Sequence, residues 1–338
     1  MKPVIAVSLG CPSGIGPEVA VAAAAEAKSA AVLLVGDRGI IDRAARIVGV
    51  AKSRFVDVDT ESIAGWAGAN RSLIGCYAPS AAVALSRAPL GKPSRAAGAA
   101  QLTWIDQAMD LVTAGTARAL VTGPVSKSAI ASSSRTARDF RGHTEYLAAR
   151  CNAGEVVMAF WAEELTISLV TTHLPIAKVA SALGPKNVAG AVFWTADLVR
   201  RLGRKKARIV VTGCNPHAGE DGLIGTEEPR RIAPGIDLAR TRLARAGIAA
   251  VITGPVGAET AVRHARAGRY DAVVAMYHDQ ATIPMKLIGF GEAVNVTLGL
   301  PIIRTSVDHG TGYDIAGRGE ADARGMKSAI DLAVRLMR

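Results

Sequence analysis

Short apolar runs, each broken by a glycine, a proline or a polar turn, set the strongest limit on how this sequence can fold. Residues 4–9 read VIAVSL, 31–36 AVLLVG, 119–124 ALVTGP, 165–172 LTISLVTT, 207–213 ARIVVTG, 249–255 AAVITGP and 271–277 DAVVAMY. Between them lie segments of helical period, among them 17–29, 38–48 and 101–114. Runs that stay apolar instead of alternating fit strands covered on both faces. Strands and helices in alternation predict an α/β fold with a largely parallel sheet, whose functional side chains gather where the strands end. With 338 residues, 49% of them hydrophobic, the chain is long enough for two lobes.

The strand exits are where the unusual residues stand. His173 follows one run in TTHLP, His217 another in CNPHAGE, and His278 a third in MYHDQ. If those strands are parallel neighbours, the three imidazoles converge on one edge of the sheet. A catalytic zinc site keeps three protein ligands and an open position, and imidazole is the commonest ligand. Structural histidines, each hydrogen-bonded in its own loop, explain the pattern equally well from spacing alone. His143 in RGHTEYL and His309 in SVDHGT also occupy loop-like contexts, whereas His264 falls on a polar helical face.

Several function classes lose ground on composition. The four cysteines (11, 76, 151 and 214) have no C-x-x-C spacing, which argues against a zinc knuckle or a disulfide framework and favours a reducing cytoplasm. No stretch approaches the roughly 18 apolar residues of a membrane span. The formal charge of +11 raises the possibility of nucleic acid, but the basic residues are scattered and only 4% of the chain is aromatic, too little for base stacking. Anionic small substrates explain the same balance.

Two regions could hold an anion. GCPSGIGPE (10–18) follows the first run and opens a helix, yet it is neither a Rossmann fingerprint nor a P-loop, and a tight turn with Pro17 in the first helical turn is the bland alternative. Further on, Lys286, Asn295 and Arg304 supply polar and cationic groups, and Arg304 comes straight after an apolar run. It can either pair with a carboxylate such as Asp308 or grip a phosphate or carboxylate with two parallel hydrogen bonds.

Taken together, GCPSGIGPE, VTGPVSK, GHTEYLA, TTHLP, CNPHAGE, MYHDQ and VNVTLGLPIIRTSVDHGT, in that order and nearly end to end, resemble the 4-hydroxythreonine-4-phosphate dehydrogenase family of vitamin B6 biosynthesis. The resemblance implies a two-lobed α/β/α fold similar to isocitrate and isopropylmalate dehydrogenases. It places a first lobe over 1–125 plus 296–338, a second over 126–295, and the active site in the cleft. It also implies a cytoplasmic homodimer with its active site near the subunit interface, using NAD or NADP bound without a Rossmann fingerprint. The divalent metal is zinc first, with magnesium or cobalt as alternatives. His173, His217 and His278 would be the metal ligands. His143, Thr144, Lys286, Asn295 and Arg304 would contact substrate, with Lys286, returning from the loop after His278, as charge clamp or proton donor. Neither a nucleic acid nor a membrane is an expected partner.

The implied chemistry is oxidation of 4-phosphooxy-L-threonine at its 3-hydroxyl followed by loss of carbon dioxide, giving 3-amino-2-oxopropyl phosphate. Two departures from the family pattern bear on this. Cys11 stands where an acidic residue is usual, and an alanine follows HDQ where a glycine is usual. The I-P-x-K stretch is similar to that of relatives acting on four-carbon sugar-acid phosphates or aromatic cis-dihydrodiols, so the same chemistry on another hydroxy acid is the alternative substrate reading. A nucleic-acid-binding protein and a metal-free acyltransferase are the readings from other classes.

Overall fold

The structure, a computed structural model, describes residues 2–69 and 73–337. The chain divides into two compact units, residues 1–151 with 301–337 and residues 152–300. The resemblance had set the lobe limits at 125 and 295.

In the first unit six strands lie in the order β3-β4-β2-β1-β5-β12. These are β1 (Val4–Ser8), β2 (Ala31–Val35), β3 (Phe55–Asp57), β4 (Ile74–Tyr77), β5 (Ala119–Thr122) and β12 (Ile303–Val307). Every pairing among them is parallel. Every residue of β1 and β5 is buried, as continuous apolar runs require when helices cover both faces. The helices start where the sequence supplies a cap. Asp37 accepts from the Ile40 N–H ahead of the helix Arg38–Ile47, and Ser94 accepts from the Ala97 N–H ahead of Arg95–Thr113.

The second unit carries β6 (Val157–Ala162), β7 (Leu165–Leu169), β8 (Ala207–Thr212), β9 (Ala250–Val256), β10 (Ala272–Ala275) and β11 (Val294–Leu298) in the order β11-β6-β7-β10-β8-β9. Here β6 runs antiparallel to both β11 and β7, while β7, β10, β8 and β9 are parallel. The expected α/β class with largely parallel strands is therefore observed. Among the described residues no helix is long and apolar enough to cross a membrane.

Candidate active site

The three strands that precede His173, His217 and His278 are direct neighbours, β7, β8 and β10, and all run the same way. Their exits are stitched by side chains. Thr171 Oγ1 donates to the Met276 carbonyl at 2.7 Å, joining the ends of β7 and β10. The Gln280 amide joins β10 to β8, accepting from Met276 N and Thr212 Oγ1, each at 2.7 Å, and donating to the Gly213 carbonyl at 2.9 Å.

This brings two of the three histidines together. The rings of His173 and His278 lie 5.6 Å apart, centre to centre. Two imidazoles on one ion, each bonded at about 2.1 Å, would set their ring centres roughly 5 Å apart at a tetrahedral angle. The pair therefore fits a shared divalent ion. His278 Nδ1 donates to Asp279 Oδ1 at 2.7 Å, which leaves Nε2 as the free lone pair, the usual orientation of a ligating histidine. His217 does not complete the set. Among the described residues no group of three or more His, Cys, Asp or Glu side chains is gathered to hold an ion. It lies exposed in the turn Pro216–Gly222, where residues 217–221 all have positive φ. In the same loop, burial and the neighbouring Glu228 and Glu227 push the Cys214 thiol up to about 11.

Lys286 is placed differently from expectation. It stands exposed in the last turn of the helix His278–Ile288, which continues through Pro284, and not in a loop. A proline inside a helix removes a hydrogen bond and normally ends it. Here Ala281 and Met285, at 0% and 1% exposure, anchor the helix on the core on either side of the proline. Asn295 is half-buried on β11, opposite Phe160. A groove of about 770 Å³ runs along the same helix, with Val262, Tyr277, Ile283 and Leu287 among its walls.

The first unit gathers the other expected residues. Arg304, on β12, is only 3% exposed, and its Nη2 donates to Thr122 Oγ1 at 2.7 Å at the end of β5. Burial lowers its pKa to about 9, against the pull of the Glu145 carboxylate, so the guanidinium stays charged at neutral pH. His143 opens the helix His143–Arg150, followed by buried Thr144. Burial holds the imidazole well below its usual range, and the charges of Arg304 and Lys127 push the same way. A neutral imidazole results, and its enclosed Nε2 has no hydrogen-bond partner among the described residues. A buried cation beside an unsatisfied imidazole nitrogen is suited to an anionic, hydrogen-bonding ligand. Lys127, at the start of the helix Lys127–Ser133, was not singled out from sequence, although it closes the VTGPVSK motif.

The glycine-rich segment 10–18 is a packing turn. All of residues 10–18 are buried, Cys11 N donates to the Pro124 carbonyl at 2.8 Å, and Ile15 N donates to the Thr311 carbonyl at 2.9 Å. Gly10 has φ +74°, and a Cβ there would lie 2.5 Å from the Pro124 oxygen. Glu18, in the first helical turn, accepts from Gly317 N. At the helix start the Ile15 N–H is thus taken by the Thr311 carbonyl, and the Glu18 carboxylate in the first turn disfavours a second anion. Cys11 meets the Tyr313 hydroxyl at 3.3 Å.

The family model described as pyridoxal phosphate biosynthetic protein PdxA matches residues 28–333. The chain belongs to the PdxA family. It is 40% identical over 343 aligned residues to a 4-hydroxythreonine-4-phosphate dehydrogenase of Desulfosudis oleivorans, covering 98% of this chain and 96% of that protein. A solved 4-hydroxythreonine-4-phosphate dehydrogenase from Klebsiella pneumoniae has a TM-score of 0.83 at 33% identity, with 100% of both chains covered. A terephthalate 1,2-cis-dihydrodiol dehydrogenase from Burkholderia xenovorans has a TM-score of 0.68 at 29% identity, covering 99% of this chain and 98% of that one. This PdxA-family chain is accordingly an oxidoreductase, and a dehydrogenase of this kind calls for a nicotinamide cofactor.

Proposed function

We propose that this chain oxidises 4-phosphooxy-L-threonine with NAD or NADP and releases carbon dioxide, yielding 3-amino-2-oxopropyl phosphate for pyridoxal phosphate biosynthesis. The observation that carries the reading is the buried, charged Arg304 beside the neutral His143, a combination that favours a substrate with an anionic end, in a chain whose relatives bear that enzyme name over their full length.

Arg304 holds an anionic group of the substrate with its planar fork, and Thr144 and His143 Nε2 complete the hydrogen bonding. The C3 hydride passes to the nicotinamide, and the resulting β-keto acid loses carbon dioxide. Asn295 orients the substrate through its amide. Lys286 neutralises charge or returns a proton to C2 after decarboxylation. His173 and His278, joined by His217 once its exposed turn moves in, would hold a divalent metal, for which zinc suits an imidazole set best, with magnesium or cobalt as alternatives. When bound there, such an ion supplies Lewis acidity to the substrate's oxygen atoms.

We further propose a cytoplasmic homodimer. Large apolar side chains stand exposed just after each of the three histidines: Leu174 and Ile176, then Leu223, then Ile283, Leu287 and Phe290, the last at 79% exposure. Apolar exposure concentrated beside a functional group favours a protein partner. The likeness to the dihydrodiol dehydrogenase keeps a second substrate reading open, the same chemistry on a related hydroxy acid such as a four-carbon sugar-acid phosphate.

The test is NAD reduction followed by absorbance with 4-phosphooxy-L-threonine, before and after chelation and with zinc or magnesium restored. Turnover that depends on metal supports the whole reading. No turnover from a fully metallated, folded dimer overturns the substrate, and the four-carbon sugar-acid phosphates are assayed next.

A further inference from the structure

The loop that leaves β5 brings one more charged group to the buried receptor of the first unit. It starts at Thr122, whose Oγ1 accepts from Arg304 and whose carbonyl accepts from Ser306 Oγ at 3.1 Å. It ends at Lys127, the first residue of the helix Lys127–Ser133. The loop is held firmly. The Gln101 side chain, at 0% exposure, accepts from Ser126 N at 2.8 Å and donates to the Ala97 carbonyl at 2.8 Å. Ser126 Oγ in turn caps the helix by accepting from Ala129 N at 3.3 Å. Behind it the Ala129 carbonyl leaves no room for a Cβ on Gly98, so this helix and Arg95–Thr113 meet backbone to backbone.

From that fixed base the Lys127 side chain reaches the start of the helix His143–Arg150. Its Nζ lies 3.7 Å from where a Cβ on Gly142 would stand, and Gly142, the N-cap, has no side chain to fill that place or to cap the helix. The charges of Lys127 and Arg304 both act on the His143 ring. Glu145, an exposed acid in the first turn of the helix, has its Oε2 3.1 Å from the same point beside Gly142, yet among the described residues Lys127 is in ion-pair contact with no carboxylate. An exposed lysine is ordinarily a solvated one. This one stands on a buried, hydrogen-bonded base and points at a site that already holds a cation.

Charge balance decides what such a site takes. A carboxylate brings one negative charge, and the planar fork of Arg304 answers it alone. A phosphate monoester brings close to two at neutral pH, with three acceptor oxygens. Two cations flanking a neutral imidazole match the phosphate. For a carboxylate the second cation would be surplus and would repel the first.

We propose that Lys127 is a further substrate-binding residue, the second cation of the Arg304–His143 receptor, and that this receptor takes the phosphate end of the substrate and not its carboxylate. The inference rests on the proposed reaction for the identity of the whole substrate, and on the receptor for the group bound there.

The experiment compares the parent with Lys127→Met and Lys127→Arg by steady-state kinetics, with inorganic phosphate and L-threonine as inhibitors. Lys127→Met should raise KM for 4-phosphooxy-L-threonine and the inhibition constant of inorganic phosphate about tenfold each, the low end for a bond to a charged group because the lysine is exposed, with kcat changed less than about threefold. Inhibition by L-threonine, which has the carboxylate and lacks the phosphate, should not move. Lys127→Arg should stay within a few fold of the parent, and the melting curves should overlay, since an exposed side chain is replaced. Parent-like KM and phosphate inhibition in Lys127→Met would overturn the role of Lys127. A loss that falls on L-threonine and spares phosphate would overturn the assignment of the phosphate to this receptor. A parent that turns over no 4-phosphooxy-L-threonine overturns the proposed reaction only. Titration calorimetry with inorganic phosphate then decides the inference: binding by the parent that weakens in Lys127→Met supports it, and equal binding by both, or none by the parent, overturns it.

Discussion

The two units place polar residues at the same structural address, the carboxyl ends of parallel strands, but finish them in opposite ways. In the first, the cation is inside. Arg304 is 3% exposed, bonded to Thr122, and faces an imidazole that burial keeps neutral. In the second, His173 and His217 are exposed and His278 is half-buried, although β7 and β10 are fully buried and β8 is buried at every residue but Arg208. A buried charge must have its counterpart arranged in advance, because an unsatisfied one costs several kcal/mol. Exposed histidines are solvated and can wait for an ion or a partner surface. The first unit thus has the character of a preformed anion receptor, and the second that of open imidazoles on a buried base.

The sharpest way to break that contrast is to remove the metal proposed for the second unit. His278→Ala, or exhaustive chelation, should lower turnover by about a thousandfold or more, since Lewis-acid assistance is worth several kcal/mol. The fold should hardly notice, because a solvated ring holds nothing in the core. Activity undiminished in protein shown by elemental analysis to be metal-free would abolish the distinction. For the first unit the corresponding change is Arg304→Lys, which keeps the charge and discards the fork. Hydrogen bonds to charged groups are worth about 1.5–3 kcal/mol, so kcat/KM should fall roughly 10- to 100-fold, mostly through KM. This variant should also lose stability, which His278→Ala should not, and melting curves of the two compare the units directly.

The neutral state of His143 offers a pH-dependent test. Its pKa is depressed in the folded chain relative to about 6.5 unfolded. Between those two values the unfolded state binds more protons, so stability rises with pH across that window and is lost as pH falls below about 6.5 toward the folded pKa. His143→Gln cannot titrate and should flatten that part of the profile of melting temperature against pH. A slope that His143→Gln leaves unchanged would mean that burial does not hold this imidazole neutral.

The parts of this arrangement that could be read in the sequence are those with local signatures. Continuous apolar runs marked β1, β2, β5, β7, β8, β9 and β10, and all of these but β9, which ends the strand order with only Ile252 buried, are largely buried. By contrast, β3 has three residues and β4 reads IGCY, too short and mixed for a period to register. Histidines at strand exits stood out for the same local reason, as did Arg304 after its apolar stretch. Lys286 was misplaced because Pro284 carries the local mark of a helix end, and only the packing of Ala281 and Met285 overrides it. Gln280 was invisible, since its partners lie up to 68 residues away and a side chain bonding to remote backbone imposes no spacing. The anion and tight-turn readings of residues 10–18 stood side by side for a related reason. A glycine-rich turn looks the same whether a phosphate or the Pro124 and Thr311 carbonyls approach it.

The smallest expected effect concerns what keeps the first unit's receptor set. The helix that begins at His143 is tethered by Tyr146, whose hydroxyl donates to Asp106 Oδ1 at 2.6 Å on the helix Arg95–Thr113, and whose ring packs on Phe140 at 5.5 Å. Arg150 reaches the same carboxylate at 3.3 Å and Asp110 at 3.0 Å. Tyr146→Phe removes one hydrogen bond, keeps the ring contact, and leaves Asp106 with Arg150. The cost should be about 1 kcal/mol, a fall in melting temperature of about 2–4 °C for a unit of this size. If burial of Arg304 and His143 is what holds the receptor, substrate KM should rise by no more than a few fold, because the core contacts of Thr144 and Leu147 still fix the start of the helix. A rise as large as that of Arg304→Lys would mean that a surface tether, and not burial, sets the receptor, and the first unit would then resemble the second in being held from outside.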